Sequence, residues 1–547
     1  MKTGILGLTL LSASALLAGP KMSRELERAD RNTRTDVIVR YKNSPNDNNR
    51  RKVTDRGGRH KRNLNSVKSG AYSVFGRELA ALAADPDVAY VHVDRKIKGK
   101  AASAVPDRSW LTMLNPPSPS STQQYTGAGI GVAVIDSGVN AHADLSGRVV
   151  YQESFVDGVT STNDGYGHGS HVAGIIAGSG LNSTGAAFSY TVRGIAPGAN
   201  IISLRVLDNN GSGSDSDVIA AIERAIALKS TYNIRVINLS LGRPVFESHT
   251  TDPLCQAVEA AWQAGIVVVT SAGNEGRNNS AGTHGYGMIS SPGNDPFVIT
   301  VGAMNTVGTQ LKTDDKMASY SSKGPTAVDH IVKPDLVAPG NRIISLRASG
   351  SHLDTPANKI LTSSYGTGIG MSTDYYELSG TSMAAPVVSG AAALLLQQNP
   401  NLTPDQVKAK LMKTAYKSLP ATTISVDAAT GASFVIQNNI FTVGAGYLDI
   451  YAALNNTQTP SNKSAKSPRA HHPTGTTSVS IAHALSVVWG DSDWGNSVVW
   501  GDSLFVGNTS VVWGDSVVWG DSVVWGESVV WGESVVWGES ASLLGDQ

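Results

Sequence analysis

Between residues 101 and 455 the chain alternates short, continuous runs of apolar residues with segments of helical periodicity. The runs GVAVID, NIISLRVL, RVINLSLG and IVVVTSAGN are apolar almost throughout, whereas VIAAIERAIAL and LCQAVEAAWQAG repeat apolar residues at helical spacing. Strands that are apolar on both faces are typical of a parallel sheet covered by helices on both sides. The pattern therefore predicts an α/β domain with a mostly parallel sheet over residues 101–455.

Residues 20–100 show a different pattern, with a core at 36–98. DVIVRY alternates as a strand, GRELAALAADP is typical of a helix, and VAYVHVDRKIK reads as a second strand. A small α+β domain is predicted here. Ahead of it, residues 1–19 place one lysine before an apolar stretch that ends in small residues, which is typical of a secretory signal peptide. We expect a secreted, extracellular protein.

The C-terminal part contains a linker and a repeat. Residues 456–480 are rich in Pro, Ser and Thr and lack periodicity, which predicts a linker with solvated histidines at 471 and 472. In residues 481–547 the motif SVVWG occurs seven times, the last five at six-residue spacing. Stacked repeats generally need three or more units, and five hexads supply under two coils of a solenoid. Disorder, self-association and attachment to a cell surface all stay open for this tail.

Charge distribution and cysteine content limit the binding partners and the disulfides that the chain can have. The whole chain balances 44 Lys and Arg against 44 Asp and Glu, but residues 21–100 carry 20 basic against 10 acidic side chains. No aromatic or groove-reading motif accompanies this charge, so we expect no nucleic-acid partner, and a basic segment can dock on its own acidic domain. The single cysteine, Cys255, excludes an intramolecular disulfide, and its amphipathic surroundings predict a packed thiol.

Four polar residues stand beside buried segments. Asp136 ends the run VAVID, His168 lies in a glycine-flanked turn before a helix, Asn274 ends VVVTSAGN, and Ser382 begins the helix SMAAPVVSGAAALLL. Each has an ordinary alternative as a cap or a turn residue. Loops beyond the carboxyl ends of parallel strands gather at one edge of a sheet, so the four can meet. Together they supply a nucleophile, a base, an orienting carboxylate and an oxyanion donor.

The segments VAVIDSGV, GHGSHVAGIIAG, VINLSLG, TSAGNEG and SGTSMAAPVVSGAAALL resemble, in this order, the signature segments of the subtilisin-like serine proteases (subtilases). Residues 36–98 resemble the inhibitory propeptide of that family. The resemblance implies a secreted serine endopeptidase that is autoprocessed from a proenzyme, acts on proteins or peptides, binds its own propeptide and needs no cofactor for its chemistry.

Carried over by position, the resemblance assigns Asp136 to orient His168, the general base. Ser382 is then the nucleophile, and Asn274 forms the oxyanion hole with the backbone N–H of Ser382. The Asp, His, Ser order along the chain is the known order of subtilisin. His171 has no catalytic counterpart and is interpreted as structural.

The resemblance also implies how substrate binds. Ser240, Leu241 and Gly242 on one edge, with Ser212 and Gly213 on the other, would hydrogen-bond an extended peptide as an added strand. The S1 pocket would be lined by residues 240–242, by Ala272 and Gly273, and by residues near Ser290 and Gly293. No acidic cluster stands there, so we expect broad specificity with an apolar preference at P1.

Three further features complete the sequence-based picture. Asp144 matches an aspartate that binds structural calcium in many family members, but one carboxylate does not define such a site, and calcium stays open. Residues 345–378 are interpreted as an inserted surface loop. Propeptide cleavage is expected between Lys98 and Val105. The alternative function is a surface-binding or assembly protein whose Trp-rich repeats act, although such a protein has no need of all four polar residues.

Overall fold

The computed structural model describes residues 21–99, 125–280, 282–309, 311–458, 464–471 and 480–482 of the 547-residue chain. The predicted signal peptide, the residues following Gly99 where cleavage is expected, and the repeats from residue 483 on lie outside the described residues. The chain divides into two compact units, one ending at Asp94 and one beginning at Arg95. Within the described ranges, no helix is both long and apolar enough to cross a membrane.

The first unit is a small α+β structure. Its antiparallel sheet has the order β2-β3-β1-β4, and its buried core includes Val37, Val39, Tyr72 and Val91. Its strands are β1 (Arg34–Tyr41), β2 (Arg59–Leu64), β3 (Ser69–Phe75) and β4 (Val88–Val93), and its helices are α1 (Arg24–Glu27), α2 (Asp47–Thr54) and α3 (Leu79–Ala83). The sequence pattern missed β2 because RHKRNL is an edge strand with mostly exposed or half-buried polar residues.

The second unit contains the predicted sheet. Its strands are β5 (Lys96–Gly99), β6 (Gly131–Asp136), β7 (Val149–Ser154), β8 (Asn200–Arg205), β9 (Ser212–Ser214), β10 (Ile234–Leu239), β11 (Leu241–Gly242), β12 (Val267–Ser271), β13 (Ile299–Asn305), β14 (Lys316–Met317), β15 (Leu336–Pro339), β16 (Ile343–Leu346), β17 (Lys359–Leu361), β18 (Met371–Leu378), β19 (Thr422–Val426), β20 (Ser433–Gln437), β21 (Arg469–His471) and β22 (Ser480–Ala482). The central order is β14-β13-β12-β10-β6-β8-β7, with β15 beside β13, and only β14 runs antiparallel to its neighbour. The mostly parallel sheet is confirmed.

Helices in the second unit pack in pairs against this sheet. They are α4 (His168–Ala177), α5 (Asp215–Ala227), α6 (Lys229–Tyr232), α7 (Pro253–Gln263), α8 (Thr381–Gln398), α9 (Pro404–Thr414) and α10 (Ile450–Asn455). Helix α4 packs on α8 and α5 packs on α7, and members of both pairs contact the central strands. Every residue of β6 and β12 is buried. The parallel direction places the residues that follow β6, β10 and β12 at one edge of the sheet.

The boundary between the two units differs from the predicted one. The run VAYVHVDRKIK is not one strand, because β4 ends at Val93 and β5 pairs antiparallel with β11 and β9 of the second unit. The second unit therefore begins at Arg95 and not after residue 100. The sequence could not show this, because the partners of β5 lie more than 110 residues away.

Two segments interpreted as irregular are ordered. Residues 464–471 of the predicted linker pack on the second unit, where the hydroxyl of Ser467 meets the buried ammonium of Lys408 at 2.9 Å and the carboxylate of Asp335 at 2.5 Å. This hydrogen bonding stabilises a segment whose low hydrophobicity suggested a solvated chain. Residues 345–378, interpreted as a surface loop, contain the sheet β16-β18-β17, in which Tyr375 and Tyr376 are fully buried.

Candidate active site

Asp136 and His168 form a buried pair at the edge of the sheet. Asp136 is the last residue of β6, and its carboxylate oxygens lie 2.8 and 3.0 Å from Nδ1 of His168, the first residue of α4. Both side chains are fully buried, and Asp136 Oδ1 also accepts the N–H of Ser137. A carboxylate at Nδ1 holds the proton there, which makes Nε2 the basic nitrogen of His168.

A carboxylate that the sequence analysis missed holds the loop that presents His168. The buried Asp164 accepts hydrogen bonds from the N–H of Gly167 at 2.6 Å, the N–H of Ser170 at 2.7 Å and the hydroxyl of Ser137 at 2.7 Å. Burial raises the pKa of Asp164, and these three donors oppose that effect. The sequence signal that could have indicated it is the position of Asp164, the first residue of DGYGHGSH, just before the start of helix α4. The N-terminus of a helix favours negative charge.

Replacing Asp164 by alanine is expected to lower the free energy of unfolding by about 3 kcal/mol, because three buried donors lose their acceptor. We also expect kcat to fall more than KM, since the loop that positions His168 loosens. Denaturant unfolding and the kcat and KM for a peptide substrate measure both effects. Asp157→Ala, an exposed aspartate of the same segment, is the control. An Asp164→Ala enzyme with unchanged kcat would contradict a positioning role.

His171 and Cys255 have structural environments. His171 is fully buried, its Nε2 lies 2.9 Å from the carbonyl oxygen of Ile343, and its ring meets the edge of Tyr376. Burial lowers the pKa of His171 to about 3, so the ring is neutral. Burial likewise raises the pKa of the Cys255 thiol well above its usual value. These environments agree with the interpretation of both residues as packed side chains.

Ser382 lies in the first turn of α8 and does not cap it. The N-cap residue is Gly380, and the helix has no side-chain cap. The hydroxyl of Ser382 donates to the carbonyl of Ser240 at 3.0 Å, and the hydroxyl of Ser240 donates to the carbonyl of Ser382 at 2.8 Å. Asn238 at the end of β10 donates to the same Ser240 hydroxyl. The cap alternative for Ser382 is therefore wrong.

Asn274 presents a buried amide beside Ser382. Its Oδ1 accepts both the backbone N–H and the hydroxyl of Thr381, each at 2.9 Å. This arrangement fixes the amide orientation, and Nδ2 has no hydrogen-bond partner among the described residues although it is buried. The preceding Gly273 has a φ of 109°, in the left-handed region that favours glycine. A buried donor without an acceptor is costly, and a ligand oxygen would satisfy it.

A small cleft connects these residues. Its lining consists of Lys98, Leu241, Gly242, Ser271, Gly273, Asn274, Ser290, Thr381 and Ser382. The lining contains no carboxylate, as the sequence analysis expected. Ser240, Ala272 and Gly293 do not line it: Ala272 is fully buried, and its carbonyl accepts the N–H of Ser290. Ser271 lines the cleft in place of the predicted Ala272.

The two predicted substrate edges hold a strand of the chain itself. Leu241 and Gly242 pair with Gly99 and Lys98 on one side of β5, and Ser212 and Gly213 pair with Lys98 and Ile97 on the other. Ile97 is fully buried. The edges therefore bind extended backbone as a central added strand, which is the geometry that peptide capture requires.

The end of β5 reaches the candidate catalytic residues. Lys98 lines the cleft together with Ser382, the hydroxyl of Tyr166 donates to the carbonyl of Gly99 at 3.3 Å, and a Cβ on Gly99 would lie 3.8 Å from Nδ1 of His168. Consecutive residues of one strand thus border Ser382 and His168. Tyr166 was missed because a tyrosine in a glycine-rich turn gives no sequence signal for such a contact.

Asp144 does not have the surroundings of a calcium ligand. Its carboxylate is fully buried, with Oδ1 accepting the N–H of Asn182 at 2.9 Å and Oδ2 accepting the hydroxyl of Tyr375 at 2.7 Å. Calcium needs six to eight oxygen ligands. Here protein donors already engage both carboxylate oxygens, so the residues at this position do not fit the ion.

Comparisons with known proteins identify the family of the chain. A model of the subtilase family matches residues 127–462. The chain is 43% identical over 291 residues to serine protease AprX of Bacillus subtilis, covering 52% of this chain and 61% of AprX. It is 36% identical over 365 residues to subtilisin E of the same species, covering 66% of this chain and 79% of that protein.

A solved structure shares the fold. Fervidolysin from Fervidobacterium pennivorans, described as a keratinolytic enzyme related to subtilisin, superposes with a TM-score of 0.57 at 23% identity. The match covers 79% of this chain and 62% of fervidolysin. The chain therefore spans less than two thirds of AprX and of fervidolysin, and more than two thirds of subtilisin E.

Proposed function

The chain belongs to the subtilase family of serine-type endopeptidases, and on that premise we propose that it is secreted, matures by its own cleavage and cuts protein substrates with Ser382 as the nucleophile. The observation that carries this proposal is the buried Nδ2 of Asn274, which faces the cleft of Ser382 without a partner among the described residues. Secretion is supported by the signal-like pattern of residues 1–19.

In the proposed reaction Ser382 Oγ attacks the scissile carbonyl carbon while Nε2 of His168 takes its proton. Asp136 stabilises the imidazolium through Nδ1. The carbonyl oxygen becomes an oxyanion that accepts hydrogen bonds from Asn274 Nδ2 and the N–H of Ser382, at the positive end of helix α8. The imidazolium then protonates the leaving amine, and water repeats the sequence to release the acyl group.

We further propose that residues up to 100 act as an inhibitory propeptide and that the first bond cleaved joins Lys100 to Ala101. Support comes from β5, which occupies both substrate edges in the register Gly99 to Leu241. Ser240 precedes Leu241 in the chain and its carbonyl accepts the Ser382 hydroxyl, so the scissile bond is expected just beyond Gly99, the last described residue of β5. A lysine can enter a cleft without carboxylates through its aliphatic stem, in keeping with broad specificity at P1.

Maturation of the wild-type chain is therefore expected to give Ala101 as the first new N-terminus, detected by intact mass and N-terminal sequencing at early times. Gly99→Val should slow this cleavage about tenfold or more, because its Cβ would lie 2.8 Å from Leu207 Cδ1. Lys96→Val is the matched control, since Lys96 is exposed on the same strand and does not line the cleft. A first cut elsewhere, or equal slowing by both variants, would refute this assignment.

A further inference from the structure

We propose that His249, Glu259 and Asp295 form a binding site for a divalent transition metal of the zinc type, away from the candidate active site. His249 follows β11, Glu259 lies on α7, and Asp295 precedes β13. The three potential ligand atoms lie within 4.8 Å of one another. His249 Nδ1 is 3.4 Å from Glu259 Oε1 and 3.8 Å from Asp295 Oδ2.

The strongest support is a buried oxygen that lacks a partner. Asp295 is completely buried, and its Oδ1 accepts the N–H of Phe297 at 2.8 Å. Its Oδ2 faces Nδ1 of His249, and among the described residues neither of these two buried atoms has a partner with hydrogen-bond geometry, Glu259 Oε1 being 3.4 Å from Nδ1. A buried carboxylate oxygen without a donor is costly. A cation between the two atoms would satisfy both.

The spacing and chemistry favour zinc over calcium. Zinc binds imidazole nitrogen and carboxylate oxygen at about 2.0–2.2 Å in a tetrahedron, so its ligand atoms stand about 3.4 Å apart. The separations of 3.4 and 3.8 Å from His249 Nδ1 need only a small contraction, and the carboxylate oxygens of Glu259 and Asp295 lie within 4.8 Å of each other. Calcium and magnesium prefer oxygen ligands and do not suit an imidazole. Three protein ligands leave a fourth position for water, which can enter beside the partly exposed His249 and Glu259.

The alternative to a metal is a second proton on His249, which would then be an imidazolium between the carboxylates of Glu259 and Asp295. A further carboxylate, Asp329, lies near His249, but its oxygens already accept the hydroxyl of Ser248 and the backbone N–H of His249, each at 2.7 Å. Asp329 is therefore engaged in holding the loop. A metal would join the loop after β11, helix α7 and the segment carrying Ser290, and of these three parts the last contributes a cleft-lining residue. Metal binding should therefore stabilise the second unit.

The test uses full-length Ser382→Ala protein, which prevents self-digestion, without an affinity tag and stripped with a chelator. Isothermal titration with ZnCl2 is expected to show one saturable site, and Tm should rise by about 3 °C or more at a hundredfold excess over Kd. CaCl2 and MgCl2 should give no such rise. Neither readout depends on peptidase activity.

His249→Asn and Asp295→Asn are each expected to abolish this site and the zinc-dependent rise in Tm. His284→Asn, at an exposed histidine of the same unit, should retain both. Glu259→Gln, at a partly exposed helical position, replaces either variant if it fails to fold. Zinc binding that is absent from the parent protein, or that survives the site substitutions, would overturn the proposal.

Discussion

Replacing Ser382 by alanine is expected to abolish peptide hydrolysis and to leave the full-length chain uncleaved during expression. The change removes only the hydroxyl, and with it the 3.0 Å hydrogen bond that this hydroxyl donates to the carbonyl of Ser240. We expect a fall in kcat on the order of 10⁶, a magnitude known for loss of the serine in subtilisin itself and carried over from there. Chromogenic peptide hydrolysis and the mass of the secreted chain measure both effects.

Ser280→Ala is the control for this change, because Ser280 is an exposed serine of the second unit that donates to Asn278. It should mature and hydrolyse peptides like the wild type. The unprocessed Ser382→Ala chain should be cut when a trace of mature wild-type enzyme is added. Self-maturation of pure Ser382→Ala protein would show that another group, or another protease, performs the cleavage.

Replacing Asn274 by alanine should lower kcat by about 10²–10³ with little change in KM, because the donor acts on the oxyanion and not on the bound ground state. That range is likewise the one known for the equivalent asparagine in subtilisin. Alanine also removes the acceptor of Thr381, so stability is measured in parallel. Asn274→Asp retains an oxygen for Thr381 and exchanges the amide donor for an acceptor.

Both Asn274 variants are expected to lose turnover, and Asn279→Ala, at an exposed asparagine of the following loop, should not. Single-turnover acylation rates locate the defect in the chemical step. If Asn274→Asp turned over like the wild type, its carboxylate would be tolerated where an oxyanion forms, which contradicts the proposed role of Nδ2. A rise in KM with unchanged kcat would instead assign Asn274 to substrate binding.

The sheet and the positions of the four polar residues could be predicted because both depend on local sequence. Strands that are apolar almost throughout, such as β6 and β12, require burial on both faces, and parallel direction then fixes the edge at which Asp136 and Asn274 stand. A carboxylate that directly ends a buried strand needs a donor, and His168 supplies it. The local sequence pattern and the rule for parallel sheets therefore place these residues at the same edge of the sheet.

The parts that escaped prediction depend on distant partners. Strand β5 is a strand because β9 and β11 flank it, and KIKG alone carries no such information. Residues 464–471 are polar, yet Lys408 and Asp335 hold Ser467 in a buried position. Asp164 was missed because the donors Gly167 and Ser170 depend on a loop conformation that the letters DGYGHGSH do not reveal, and the third donor, Ser137, follows the distant strand β6.

Labelling of the mature protein with a fluorophosphonate, followed by mass mapping of the modified peptide, tests the central claim most directly. The reagent reacts only with a hydroxyl that a neighbouring base activates and an oxyanion hole supports. We predict one phosphonate per chain, attached to Ser382, with loss of labelling in His168→Ala protein that a trace of mature wild-type enzyme has first cut to the mature form. Absence of labelling in correctly folded mature protein, or attachment to a different serine, would contradict the account.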